Sequence, residues 1–513
     1  MSAKALRTTK IFTAAGVLAS IVGATLLNIA VARHYTRWDL TTHKLYTLSE
    51  ATTKTLESLE ERIQIDVLLP SSDPIAASVR FLLNEYEAKT SRLDIRYTDP
   101  DRNPAEFLAL QQKYGIEAGR TEDGQVVMDA SIVISRSGKK PFFLSSAQFV
   151  DWEETEAGRA RSRLEQALTG TIRRALSDER PTICFTTGHG EMRIDDGSSR
   201  GLADFVHRLH KNNYEVEEVE PGEKDALKDC RVTIIAGPSQ PFAKDEAERL
   251  RAYAEGGGNL FLLANPVPDG DNRRFLRLGL NEVTEPFGIA LEEAFVFETD
   301  ARRKLPIGVG EQFFASVRHH DITRGLLETY AEDLRILFVA SRPLSASGTG
   351  SVAPVELLST SEQAFGMRDF FGWAERGGLP EREPGDHEGP IALAMAAELP
   401  KPSGSQALHG PRIVVVGSSS LLWGQSFREP ALRGGAIFAE NALSWLAARP
   451  PILDIPDKPA AAGLRIDESS LGEVLRYVIL YMPAAVGLLG IAVFLRRRAT
   501  SRGPKPPAGK GEA

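Results

Sequence analysis

The run Thr186-Thr187-Gly188-His189-Gly190-Glu191 sets an imidazole and a carboxylate two residues apart between glycines. His and Glu are side chains that move protons, and glycine lets a backbone come close to a ligand. The pair could also begin a metal site, but no third ligand stands nearby. The leading reading is a tight strand-to-helix turn with no ligand. A non-catalytic contact for a ligand or partner at Gly188, His189, Gly190 and Glu191 is the next, and catalysis the last. Gly417-Ser418-Ser419-Ser420 suggests a serine nucleophile, but a nucleophile elbow needs Gly-x-Ser-x-Gly and position 421 is Leu. It reads as a polar turn. His319-His320-Asp321 would point its imidazoles to opposite faces of a strand, so it reads as a loop. No dinucleotide or phosphate-binding glycine motif occurs. The sequence thus predicts no catalytic residue, no cofactor and no metal.

The elements that would carry these residues alternate in type. Ser49 reads as an N-cap of a helix reaching about Glu61. Ile63–Leu69 reads as a strand, Ile75–Lys89 as a helix, and Leu93–Thr98 as a strand. A turn, Asp99-Pro100-Asp101-Arg102-Asn103-Pro104, leads into a helix over 105–114. Val126–Ser135 and Pro141–Leu144 read as a hairpin, followed by a helix from Arg161 to Ser177. This βαβαββα order is that of a thioredoxin-like domain over residues 61–178, without a Cys-x-x-Cys. A second domain, 179–449, begins with a buried strand, Thr182–Thr187. Strand and helix then alternate with short turns, which predicts a doubly wound parallel sheet. Residues 268–410 form an irregular insertion within it, and Arg412–Gly417 and a helix over 436–447 complete the layer.

Two apolar runs, 11–32 and 474–495, flank these domains. At 1.5 Å per residue each is long enough for a hydrocarbon core of roughly 30 Å. Lys4, Arg7 and Lys10 precede the first; Arg496, Arg497, Arg498, Arg502, Lys505 and Lys510 follow the second. The two runs therefore predict two transmembrane helices, and the positive-inside rule sets their orientation. Both tails, 1–10 and 496–513, would be cytoplasmic and the middle exterior. Segment 33–60 would join the first span to the folded part, and a proline-rich linker, 450–473, would lead to the second. Small residues in the first run, Ala15, Ala19 and Gly23 with Gly16, Ser20 and Ala24, suit close helix packing in lipid.

Net charge is −8, with basic residues gathered in the tails, which argues against nucleic acid as a partner. The two cysteines, Cys184 and Cys230, are too few for a disulfide framework; two buried thiols are the favoured reading, and a single disulfide between them stays open.

Taken together, several fragments resemble one family. They are Trp38-Asp39-Leu40-Thr41, Lys44-Leu45-Tyr46-Thr47-Leu48-Ser49, the Asp99–Pro104 turn with Lys113-Tyr114-Gly115, and Glu165-Gln166-Ala167-Leu168-Thr169. The second domain adds Thr187–Glu191, Ile235-Ala236-Gly237-Pro238, Gly256-Gly257-Gly258-Asn259-Leu260, Val414-Val415-Val416-Gly417-Ser418 and Glu440-Asn441-Ala442-Leu443-Ser444-Trp445-Leu446. In order and coverage these resemble the gliding-motility GldG family, also described as auxiliary components of ABC transporters. The resemblance implies a second domain similar to class I glutamine amidotransferases without their catalytic residues. It implies a bacterial inner membrane as the location, with an ABC ATPase and a multispan permease as partners, beside the membrane lipid the spans would contact. The expected function is a non-catalytic, membrane-anchored auxiliary subunit. The alternatives are an anchored envelope hydrolase using His189 and Glu191, and a free-standing scaffold or ligand-binding module.

Overall fold

The computed structural model describes residues 47–120, 126–152, 160–328, 334–348, 350–401, 409–447, 458–459 and 476–500, with scattered positions between 16 and 26. The chain forms two compact units. One comprises residues 48–149 and 163–456; the other comprises 1–47, 150–162 and 457–513.

In the larger unit, Ser49 caps α1 (Glu50–Glu57), its hydroxyl accepting the Thr52 N–H at 3.1 Å. The chain continues through β1 (Ile63–Val67), α2 (Pro74–Glu87), β2 (Leu93–Tyr97), α3 (Pro104–Tyr114), β3 (Ala118–Arg120), β4 (Val126–Met128), β5 (Ile132–Ser135) and β6 (Phe142–Leu144). β1 lies parallel to β2 and antiparallel to β5, and β6 extends the sheet in the order β2-β1-β5-β6. The expected strand Val126–Ser135 is two strands, because Asp129 and Ala130 break it and β4 turns away to pair with β3. After β7 (Val150–Trp152) and β8 (Ala160–Ser162), which belong to the smaller unit, α4 (Leu164–Ser177) returns to pack against α1. Two fragments far apart in sequence meet here: the Ser49 N–H donates to Glu165 Oε1 at 2.7 Å, and the Thr52 and Thr169 hydroxyls share a 3.0 Å bond.

The Asp99 turn is held by its own carboxylate. Oδ1 accepts the N–H groups of Asp101 at 2.9 Å and Arg102 at 3.3 Å, while Oδ2 accepts the Ser71 N–H at 2.9 Å and the Ser71 hydroxyl. Burial would raise the pKa of this carboxyl, but the bonds from Ser71, Asp101 and Arg102 outweigh it and hold it down at about 2. A carboxyl with a depressed folded-state pKa stabilises the fold above its unfolded value of about 3.9, and that contribution is lost as pH falls through the folded value. Asp99→Asn should therefore cost on the order of 1 kcal/mol at pH 7, solvent screening included. The gap to the parent should narrow steadily between about pH 4 and pH 2. Urea melts across that range check it; a pH-independent gap would refute the assignment.

Beyond α4 the larger unit continues through β9 (Thr182–Thr186), α5 (Ala203–Lys211), β10 (Glu215–Val219), β11 (Cys230–Ala236), α6 (Lys244–Glu255) and β12 (Asn259–Leu263). Beyond these come β13 (Ile289–Leu291), β14 (Leu344–Ala346), β15 (Val355–Ser359), β16 (Ala392–Glu398), β17 (Arg412–Val416) and α7 (Arg433–Ala447). The main sheet runs β10-β9-β11-β12-β17-β16-β14-β13, with β15 pairing on β16. The first five strands are mutually parallel and the rest antiparallel to their neighbours. Side chains alternate across this sheet. Ile183, Phe185, Ile234, Phe261 and Val414 meet α5 and α7 on one face; Cys184, Ile235, Leu262 and Val415 meet α6 on the other. Burial on both faces explains the unbroken apolar run Ile413-Val414-Val415-Val416. Strand β10 lies at the sheet edge and carries Glu215, Glu217 and Glu218.

Two expectations fail in this fold. Cys184 and Cys230 are not free thiols: they form a disulfide with Cα atoms 5.6 Å apart. Cys230 opens β11, which lies parallel to β9 and so brings its sulfur to that of Cys184, a pairing that cysteine count does not reveal. The two-span architecture, and with it the inner-membrane placement and lipid contact, is also overturned. Among the described residues no helix is long and apolar enough to cross a membrane. In the smaller unit, α8 (Met482–Thr500) follows a π-helical stretch, Arg476–Tyr481. It holds three arginines at 496–498, so its uncharged part, 482–495, reaches only about 21 Å at 1.5 Å per residue, short of roughly 30 Å. Most of the run 11–32 and of the segment 450–473 lies outside the described residues. Of the latter, Lys458–Pro459 pairs with β8, which itself pairs with β7.

Candidate functional site

The glycine-histidine turn leaves the carboxyl end of β9, with Gly188 at φ +104° and Gly190 at φ +70°. The His189 carbonyl accepts the N–H groups of Ser239 and Gln240, each at 2.9 Å, and the Met192 N–H reaches the Ala236 carbonyl at 2.9 Å. The turn is thereby tied to the segment following β11. Next to it, Gly237 passes so near Ser419 that a Cβ would lie 2.9 Å from the hydroxyl. Asn265, just beyond β12, binds Ser419 twice: its Oδ1 accepts the Ser419 N–H at 2.8 Å and its Nδ2 donates to the Ser419 Oγ at 2.9 Å. Segments following β9, β11, β12 and β17 thus meet at the carboxyl ends of the parallel strands, where open α/β sheets bind ligands.

His189 is clasped within this layer. Its ring stacks on Phe242 with centroids 3.8 Å apart. Nε2 lies 2.9 Å from Glu246 Oε2 and, an ionised carboxylate being an acceptor only, donates to it. Nδ1 stands 3.5 Å from Glu191 Oε1. Glu191 turns its other oxygen back onto the His189 N–H at 2.7 Å, and its side chain is 2% exposed. Glu246 Oε2 also accepts the Ala243 N–H at 2.8 Å, so one carboxylate caps α6 and holds the imidazole. His189 Nδ1, Glu191 Oε1 and Thr186 Oγ1 are buried without a hydrogen bond. The predicted acid and base do come together, but they fasten the turn rather than face solvent as a proton-transfer pair.

Gly190 has two reasons to be glycine. Its φ lies in the left-handed region, and a Cβ there would collide with the Ser239 hydroxyl. At Gly188 the φ is also positive but nothing lies within 4 Å. Gly190→Ala is expected to lower stability by about 2 kcal/mol, the larger loss of the two. In a Ser239→Ala background part of that loss should return, since the colliding oxygen is gone. Chemical denaturation of the two single variants and the double variant checks this; strictly additive losses would disprove the collision.

The remaining candidates do not assemble into a centre. Ser418 Oγ donates to the Val339 carbonyl at 2.8 Å, and Ser420 Oγ donates to the Leu337 carbonyl at 3.1 Å. With Ser419 bound to Asn265, all three hydroxyls serve the turn. His320 Nδ1 accepts the Ile322 N–H at 3.2 Å in a loop, and burial pushes its pKa down. Residues that sequence reasoning missed include Phe242 and Glu246, the partners of His189. Glu246 stands three residues after the N-cap Ala243, and a carboxylate at that position was the available signal. Arg342 was also missed and has no sequence signal. Its N–H donates to the Gly417 carbonyl at 2.9 Å, and its side chain is buried with Nε and Nη2 unbonded. Burial pushes the guanidinium pKa down to about 10, opposed by the charge of Glu293.

Residues 180–435 match the family model described as an ABC-type uncharacterized transport system, an ABC transporter auxiliary family. Residues 42–133 match a domain of unknown function, DUF7088. The first match carries the transporter-auxiliary part of the resemblance and not its gliding-motility part. No curated protein sequence matches the chain. Among solved structures, the N-terminal domain of mmIFT52 is similar at 18% identity and a TM-score of 0.37, covering 52% of this chain and 98% of that one. A putative ThuA-like protein from Parabacteroides merdae is similar at 12% identity and a TM-score of 0.27, covering 51% and 90%.

Proposed function

We propose, from the match of residues 180–435 to the ABC transporter auxiliary family, that this chain is a non-catalytic auxiliary subunit of an ABC transport system. Its partners in that reading are an ABC ATPase and a multispan permease on separate polypeptides. The turn at Gly188, His189, Gly190 and Glu191, with the neighbouring strand ends, is the surface it would offer to a partner or ligand. What supports the non-catalytic part is the clasp itself. The imidazole is stacked on Phe242 and bonded to Glu246, and Glu191 is engaged with its own loop. The test is affinity purification of the tagged chain in mild detergent, with co-purifying proteins identified by mass spectrometry. Stoichiometric recovery of an ATPase and a permease is the expected result; recovery of the chain alone, where a control ABC complex survives, would refute the reading. Gln240→Arg, an exposed change beside the turn, should reduce that recovery without altering the circular dichroism spectrum. Undiminished recovery would move the contact elsewhere.

A further inference from the structure

The β3–β4 pair follows the first sheet's parallel strands and helix α5 packs on the main sheet, and together they gather three metal-ligating side chains. Glu117 and Asp129 face each other just past the open end of the hairpin, where the Asp129 N–H donates to the Glu117 carbonyl at 3.1 Å. The Glu117 N–H in turn donates to Asp129 Oδ1 at 3.0 Å. That bond fixes the carboxylate and aims Oδ2 at His207 on α5, whose Nε2 lies 3.1 Å away. Glu117 Oε1 lies 3.8 Å from the same nitrogen. All three donor atoms lie within 4.8 Å of one another.

We propose that Glu117, Asp129 and His207 form a binding site for a divalent transition metal, zinc above all, that pins the β3–β4 pair to α5. Metal–ligand bonds of about 2.0–2.1 Å in tetrahedral geometry place neighbouring donor atoms about 3.3 Å apart. The two distances to His207 Nε2 bracket that value, so a cation needs only small side-chain movements. The donor set is one neutral imidazole and two carboxylates, which balances a double positive charge. An imidazole ligand favours zinc, copper, iron or nickel over magnesium and calcium. The Asp129 side chain is 1% exposed, whereas those of His207 and Glu117 are 32% and 61% exposed, so the cluster has a fixed floor and an open mouth. Water would complete the coordination.

Both sides of this junction are already held in place. Lys211, one turn beyond His207 on α5, donates from Nζ to the Tyr114 carbonyl at 2.5 Å and lies over the Phe143 ring. Asn213 binds the Phe143 backbone twice, accepting its N–H at 2.7 Å and donating to its carbonyl at 2.8 Å. The ligands are therefore preorganised across the junction, with the Asp129–Glu117 bond orienting the buried carboxylate.

The test is calorimetric titration of the chelator-treated protein with zinc, with magnesium and calcium as comparisons. One saturable zinc per chain is expected, with no saturable magnesium or calcium and a rise in the thermal midpoint on zinc addition. His207→Gln and Asp129→Asn should each weaken zinc binding at least ten-fold. Asp129 is buried and its replacement could unfold the junction, so the exposed Glu117→Gln is the companion. It should melt like the parent in chelator yet bind zinc more weakly. Absence of saturable zinc binding by the parent would overturn the proposal. So would parental affinity in both His207→Gln and Glu117→Gln.

Discussion

Replacing Cys184 and Cys230 together by alanine is expected to lower the stability of the larger unit by about 4 kcal/mol. The bridge joins residues 46 apart in sequence, and closing a loop of that length in the unfolded chain removes entropy equivalent to about 4 kcal/mol on the chain-entropy account. In the fold it ties β9 to β11, the strands on either side of the step between the Gly188–Glu191 turn and the Ser239–Gln240 backbone that holds it. The measurement is guanidinium unfolding of parent and variant, each with and without reductant. The parent should fall to the level of the variant when reduced, and the variant should be indifferent. A parent whose midpoint ignores reductant would show that the bridge contributes nothing.

The second large effect has the opposite sign. Arg342→Met is expected to raise stability by about 3 kcal/mol. A guanidinium whose folded-state pKa is pushed down from 12.5 to about 10 is disfavoured by the fold in its charged form. At about 1.4 kcal/mol per pKa unit, the penalty is present in full at neutral pH and fades only as pH rises between the two values. Methionine fills a comparable volume without the charge, and such replacements of buried ionic groups are often neutral or stabilising by 1–4 kcal/mol. The backbone bond from Arg342 to Gly417 is untouched. Denaturant midpoints at pH 7 decide the matter. A destabilised Arg342→Met would mean that the guanidinium makes a favourable interaction in solution.

Strands β9 and β17 of the parallel core were legible because each is short, apolar and bounded by glycine or proline. Thr182–Thr186 and Arg412–Val416 fall where periodicity put them. Ser49 was legible as a cap because both bonds of its hydroxyl, from the Thr52 N–H and to the Thr52 Oγ1, are local. The strands of 268–410 were harder: β13 and β14 are three residues each and take their conformation from pairing with each other. At the site, glycines announced the turn, but the role of His189 depends on Phe242 and Glu246, more than fifty positions away. The Glu117–Asp129–His207 cluster joins the β3–β4 pair to α5 and has no spacing to betray it. The membrane expectation failed because hydropathy measures an apolar run and not the length of uninterrupted helix within it.

Among the described residues, strand β10 has no neighbour on one edge of the main sheet. A bare edge is a template for another strand, and copies of one protein can stack through it. Here Glu217 and Glu218 are exposed along it, while Glu215 is paired with Lys140. A second copy laid alongside would bring carboxylates against carboxylates, which is unfavourable when they fall opposite one another. The acidic border therefore works as a guard against edge-to-edge aggregation, and it keeps a highly apolar sheet from spreading between molecules.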